Sequence, residues 1–221
     1  YLNKIMKKIV VMISGSGSNL EAIIKACNTK NINGEIVCVI SNNPDAYGIE
    51  RAKKYSIPIK IIDHKEFSKR DDFDNALEDI LDYLDVDLII LAGFMRILGK
   101  KLTHKFYGKM INLHPSLLPL YPGLNTHAQA LNNKDKYHGI SIHFVTAKLD
   151  EGPLIAQGKI LIKEEDDIEK LIARIHKIEH DLLPKVINEL CLNNIYLNCE
   201  THKVMYSNIL DSKMFVTYFN N

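Results

Sequence analysis

"KIVVMISGSGSNLEAIIKAC", residues 8–27, decides how the rest of the chain is read. "KIVVMI" (8–13) is apolar on both faces after its lysine, as a buried strand is. From Leu20 the apolar residues recur at helical spacing, with Leu20, Ile23, Ile24 and Cys27 on one face. Between the two lie Gly15 and Gly17, which permit positive φ and close approach of other groups. Ser18 or Asn19 suits an N-cap. A strand, a glycine turn and a helix start open a parallel α/β sheet. The exposed N–H groups and positive helix end at Gly15, Ser16, Gly17, Ser18 and Asn19 form an anion seat. A dinucleotide fingerprint would need a third glycine where Leu20 stands, and no Lys-Ser/Thr completes a P-loop, so the turn suits one phosphate. The plain alternative is a tight turn that only starts a helix.

Outward from this unit the pattern repeats. "EIVCVIS" (35–41), "PIKII" (58–62) and "DLIILAG" (87–93) read as strands, and "AYGIERAKKY" (46–55) and "FDNALEDILDYL" (73–84) as helices. Farther on, "HGISIHFVT" (138–146) alternates and "GPLIAQGKILI" (152–162) is another strand. Residues 166–190 carry the longest helical pattern, which Pro184 is expected to kink or split. "IYLN" (195–198) and "KVMYS" (203–207) are short strands in the tail. The expected fold is a single-domain, Rossmann-like α/β unit over residues 1–221. Its twisted sheet is mostly parallel with helices on both faces, and its C-terminal portion is antiparallel.

Composition narrows the partners. A net charge of +1 gives no field to draw in a polyanion, so nucleic acid is not expected. The run from Leu88 to Met95 is far short of the ~18 apolar residues that span a bilayer. The run from Ile9 to Ile13, behind Lys4, Lys7 and Lys8, is too short for a signal-peptide core. Cys27, Cys38, Cys191 and Cys199 form no Cys-x-x-Cys pair, which favours free thiols and the cytoplasm. His176 and His180 stand four apart without a third ligand, so no metal is expected.

"INLHPSLLPLYPG" (111–123) is the second informative stretch. Strand alternation puts Asn112 and His114 on one face near a strand's carboxyl end. An amide beside an imidazole can hold and protonate a developing oxyanion. Pro115, Pro119 and Pro122 would then stiffen the loop that walls the site, a natural home for a cis bond at Leu118–Pro119. Alone, His114 also fits a simple strand cap. Asp150, in "LDEGPL" (149–154), is an ordinary turn aspartate unless the fold brings it to His114, where it would favour the imidazolium. Glu179 lies at the edge of a buried helical stripe, so it either meets a polar cavity or reaches out to solvent.

Taken together, "ISGSGSNLEAII", "SNNPDAYGIERA", "LAGFMRIL", "NLHPSLLPLYPG", "HGISIHFVT", "LDEGP" and "IEHDLLP" carry a resemblance from Lys7 to Pro184. The chain resembles the folate-dependent formyltransferases, and within them the phosphoribosylglycinamide formyltransferase (glycinamide ribonucleotide transformylase) family. The resemblance implies transfer of a formyl group from 10-formyltetrahydrofolate, the co-substrate, to the amine of phosphoribosylglycinamide in purine biosynthesis. It implies small-molecule partners, no metal, and a monomer or homodimer. It implies a ribonucleotide-binding half at about 7–110, a folate-binding and catalytic half at about 88–190, and a variable tail at 193–221.

On this resemblance Asn112, His114 and Asp150 match the catalytic trio. Gly15, Ser16, Gly17, Ser18, Asn19, Pro115 and Glu179 match ribonucleotide-binding positions. Arg70, Met95, Arg96, Ile97, Leu98, Asn112 and Val145 match folate-binding positions, and Ile142–Asp150 the loop beside the pteridine. The family pattern Leu-Asp-Gly-Gly-Pro has Glu151 for its first glycine here, which is strained if that position needs positive φ and otherwise only adds a charge. Methionyl-tRNA formyltransferase would add a sizeable C-terminal domain, whereas about 37 residues follow Pro184. Formyltetrahydrofolate hydrolase would add a leading domain before a strand that starts near Lys7 here. A non-catalytic phosphate-binding module is the remaining rival, and the intact trio argues against it.

Overall fold

The computed structural model describes residues 6–207 and 216–218. The elements run β1 (Lys7–Ile13), α1 (Ser18–Asn28), β2 (Gly34–Ser41), α2 (Gly48–Lys54), β3 (Ile59–Ile61), α3 (Arg70–Leu84), β4 (Leu88–Leu91) and α4 (Lys100–Lys105). They continue β5 (Met110–His114), α5 (Thr126–Asn132), β6 (Tyr137–Phe144), β7 (Leu154–Leu161), α6 (Ile168–Cys191), β8 (Ile195–Asn198), β9 (Lys203–Tyr206) and β10 (Val216–Tyr218). The main sheet has the order β10-β7-β6-β5-β4-β1-β2-β3. Strands β1 to β5 are parallel, β6 opposes both of its neighbours, and β10 runs parallel to β7. β8 and β9 pair as a separate antiparallel hairpin.

The period of two along β1 builds both layers of core. Ile9, Val11 and Ile13 pack with Leu20, Ile23 and Ile24 of α1 and with Ile175, Ile178 and Leu182 of α6. Val10 and Met12 face the other way, toward Phe73, Leu77 and Leu81 of α3 and Leu102 of α4. A strand apolar on both faces is therefore a strand with helices above and below it.

Several expectations are corrected. Pro184 does not split α6, which is continuous from Ile168 to Cys191. Buried residues on either side of the proline, Leu182, Leu183, Val186 and Ile187, pack against the core, and that burial outweighs one absent backbone hydrogen bond. α4 and α5, of six and seven residues, are too short for periodicity to reveal. β6 extends to Phe144, so Ile142–Phe144 belong to a strand and the connecting loop begins only at Val145. Neither Ser18 nor Asn19 caps α1; the N-cap is Gly17 itself, at φ 69, with no side-chain cap.

After β3 the chain returns to place β4 on the other side of β1, so the strand order reverses between β1 and β4. Ligands collect at the carboxyl ends of strands at such a point. Ser14 ties it together. Its N–H donates to Gly93 O at 3.2 Å, and its hydroxyl accepts from Met95 N–H at 2.7 Å and donates to Asn42 Oδ1 at 2.5 Å.

The two glycines of the first turn have different tasks. A Cβ on Gly17 would stand 2.6 Å from the Gly48 Cα, while one on Gly15 would meet nothing within 4 Å. Gly17 lacks a side chain because α2 crosses there; Gly15 faces open space. Gly17→Ala is expected to cost about 1–3 kcal/mol through strain and overlap. Gly15→Ala is expected to stay within about 0.5 kcal/mol of the parent, as read by urea denaturation.

Candidate active site

The strand register sets the site. Met12, Leu91, Asn112 and His143 occupy one row across β1, β4, β5 and β6. At about 4.8 Å between strands, Asn112 stands roughly 10 Å from β1, and His114 ends β5 on the same side as the glycine turn. Ile111 and Leu113 point into the core beneath α6, so Asn112 and His114 point to the opposite face.

Asp150 does reach that face. Its Oδ2 lies 3.4 Å from His114 Nδ1, and the Asn112 amide donates to its Oδ1 at 3.4 Å. The Gly123 N–H donates to Oδ2 at 2.9 Å. His114 Nε2 lies 2.8 Å from the Tyr121 carbonyl, so both ring nitrogens face oxygen acceptors. Asp150 takes φ 54 to turn its carboxylate inward. Burial raises its carboxyl, but the His143 contact, the Gly123 N–H and the neighbouring imidazoles outweigh burial and hold it below its ordinary value. The long Asn112 contacts leave its amide able to exchange partners when an oxyanion forms.

The sequence did not reveal His143. Its Nε2 lies 3.3 Å from Asn112 Nδ2 and 3.7 Å from Asp150 Oδ1, and its Nδ1 lies 2.9 Å from the Phe144 carbonyl. The alternation in "HGISIHFVT" was the available signal, since it puts His143 on the face of β6 opposite Ile140, Ile142 and Phe144. His127 and His138 stand 3.0 Å apart elsewhere, and burial pushes each down to about 4.

At the first turn, no side chain caps the start of α1, so its leading N–H groups remain free for an anion. Arg51 was also missed: its Nε donates to Ser16 O at 2.9 Å while its guanidinium pairs with Glu21. Glu179 does not escape to water. It is 5% exposed and accepts from Asn19 Nδ2 at 2.9 Å, while Asn19 Oδ1 is buried without a partner. Burial pushes the Glu179 carboxyl up to about 7, against the Asn19 hydrogen bond. Pro115 follows His114, and its carbonyl accepts from Thr126 Oγ1 at 2.6 Å.

Of the remaining sequence-selected positions, Met95, Arg96, Ile97 and Leu98 follow β4 and Val145 follows β6. Met95 and Ile97 are exposed, and Leu98 and Val145 are buried. Arg96 lies over the Phe73 ring at 4.4 Å. Arg70 opens α3, exposed. Asp74 fixes this segment by accepting from the Gly99 N–H at 2.6 Å. Glu151 is not among the residues with positive φ.

Residues 7–187 match the formyl transferase family. The phosphoribosylglycinamide formyltransferase of Haemophilus influenzae is 48% identical over 182 residues, 82% of this chain and 86% of that protein. The Escherichia coli protein of the same name is 46% identical over 180 residues, 81% of this chain and 85% of its own length. The solved phosphoribosylglycinamide formyltransferase of Coxiella burnetii has a TM-score of 0.89 at 44% identity, covering 97% of this chain and 100% of its own.

The raised Glu179 carboxyl carries a pH signature. The folded state holds its proton more tightly than the unfolded state, so stability falls as pH rises from about 4.5 through about 7. Glu179→Gln should remove that slope. The variant should gain on the parent above pH 7, by on the order of 3 kcal/mol at most, and match it near pH 4. Melting temperature against pH, without ligand, measures it.

Proposed function

The chain belongs to the formyl transferase family, and we propose that it moves the formyl group of 10-formyltetrahydrofolate onto the amine of phosphoribosylglycinamide in purine biosynthesis. The observation that carries this reading is the convergence of Asn112, His114 and Asp150, with His114 and Asp150 at 3.4 Å, at the same end of the sheet as an uncapped helix start.

The residues divide the work by chemistry. The N–H groups from Gly15 to Asn19 take the phosphate, and Glu179 beside Asn19 takes the ribose hydroxyls. Pro115 borders the ribonucleotide. The folate lies along Met95–Leu98 and Val145, with Arg70 and Arg96 supplying positive charge for its carboxylates. The neutral amine attacks the formyl carbon, a C–N bond forms, and the carbonyl electron pair moves to oxygen. Asn112 donates to that oxyanion, and the His114 imidazolium, its ring nitrogens kept on Asp150 and the Tyr121 carbonyl, stabilises it by its charge. Asp150, through water, takes the proton that the amine loses. Collapse of the intermediate breaks the bond to the folate nitrogen, which receives that proton from Asp150 through water.

The test is purified protein with both substrates, folate release being followed by absorbance. His114→Ala should lower kcat by about 10²–10⁴. Near-parental turnover by that variant would remove His114 from the chemistry. Formate release that ignores the amine acceptor would replace transfer with hydrolysis.

A further inference from the structure

One turn of backbone touches both members of the His–Asp pair. The Tyr121 carbonyl meets His114 Nε2 at 2.8 Å, and two residues later the Gly123 N–H meets Asp150 Oδ2 at 2.9 Å. The turn works because Tyr121 takes φ 52 and Gly123 φ 82. Glycine adopts that region freely, but tyrosine does not, so the surroundings must impose it.

They do so at the far end of the side chain. The Tyr121 hydroxyl donates to Asp135 Oδ2 at 2.6 Å and accepts from Asn133 Nδ2 at 2.8 Å. Both partners lie just past α5. Asp135 is itself fixed by its N–H donating to Ala130 O at 3.0 Å. The other end of α5 holds the start of the loop, through Thr126 and the Pro115 carbonyl. The Asp135 hydrogen bond raises the Tyr121 phenol above its ordinary value, so the hydroxyl keeps the proton it donates.

We infer that Tyr121 and Asp135 form a latch that sets the place and orientation of the His114 ring against Asp150. Tyr121 is then a positioning residue, an inference that rests on the proposed formyl transfer. Its hydroxyl stands a whole side chain away from the carbonyl that meets His114, so it acts only by holding that backbone in place.

Tyr121→Phe deletes the hydroxyl alone. It should lower kcat at least about tenfold, as a displaced catalytic group does, with KM for each substrate within about twofold. Asp135→Ala should match it, and the double variant should fall no further than either single one. Asp135→Asn keeps an oxygen acceptor for the hydroxyl and should restore most of kcat. The His114 ring-nitrogen resonances should move in Tyr121→Phe and in Asp135→Ala and stay in place in Asp135→Asn. If Tyr121→Phe fails to fold, Asp135→Ala against Asp135→Asn carries the same comparison. A kcat within about twofold of the parent overturns the latch, as do unmoved His114 resonances. Those resonances are read without turnover, so a parent chain that transferred no formyl group would sink the proposed reaction and leave the latch to its own measurement.

Discussion

The His114–Asp150 contact constrains everything around it. Each side chain is 6% exposed, and a carboxylate stripped of water is costly unless donors replace that water. Three elements surround it: β5 through Asn112 and His114, β6 through His143, and the 115–123 loop through the Gly123 N–H, while the 145–153 loop delivers Asp150 itself. None can move alone without leaving a buried charge short of a partner. That mutual dependence is a source of rigidity, and rigidity lets dipoles aimed at a developing oxyanion stabilise it without reorganising.

The sheet supplies the second half of the geometry. Because the strand order reverses at β1 and β4, the loops that follow β1, β4 and β5 leave the same edge side by side. The glycine turn and the His114–Asp150 pair thus lie at the same end of the sheet. Ser14 joins the first two of these loops by hydrogen bonds to Gly93, Met95 and Asn42. Gly17 and Gly48, backbone against backbone, fix where that turn can lie.

Legibility followed the range of the interactions. The strands and long helices were readable because burial on one or two faces writes a period into neighbouring residues, as in Ile9 to Ile13 and Leu20 to Cys27. Asn112 and His114 were readable as a pair because two positions on a strand share a face. Asp150 was paired with His114 only conditionally and through the resemblance, and Glu179 was visible as a polar group on a buried stripe without its partner Asn19, since pairing across 36 or 160 residues leaves no local trace. His143 was hidden for the same reason. Tyr121 was hidden more deeply: it meets His114 through its carbonyl, a group every residue has. Gly17 was half read. Its freedom was recognised, but the neighbour that needs the room is Gly48, from α2.

The "LDEGP" segment shows how one motif can hold two unequal requirements. The resemblance implies two glycines after the aspartate, and this chain has only the second. A Cβ on Gly152 would fall 1.6 Å from the Phe144 carbonyl oxygen, where the 145–153 loop closes with Phe144 N–H donating to Pro153 O at 2.9 Å. No side chain fits there. Position 151 carries no such demand, because the left-handed residue of the turn is Asp150 and not its successor. Glu151 points outward, 63% exposed, and pairs with Lys148 at 3.2 Å. Solvent and that lysine screen its charge, so it acts only weakly on the buried Asp150 carboxylate. The loop tolerates a glutamate at 151 for the same geometric reason that it cannot tolerate an alanine at 152: the backbone turns at the aspartate and makes its closest approach to β6 two residues later.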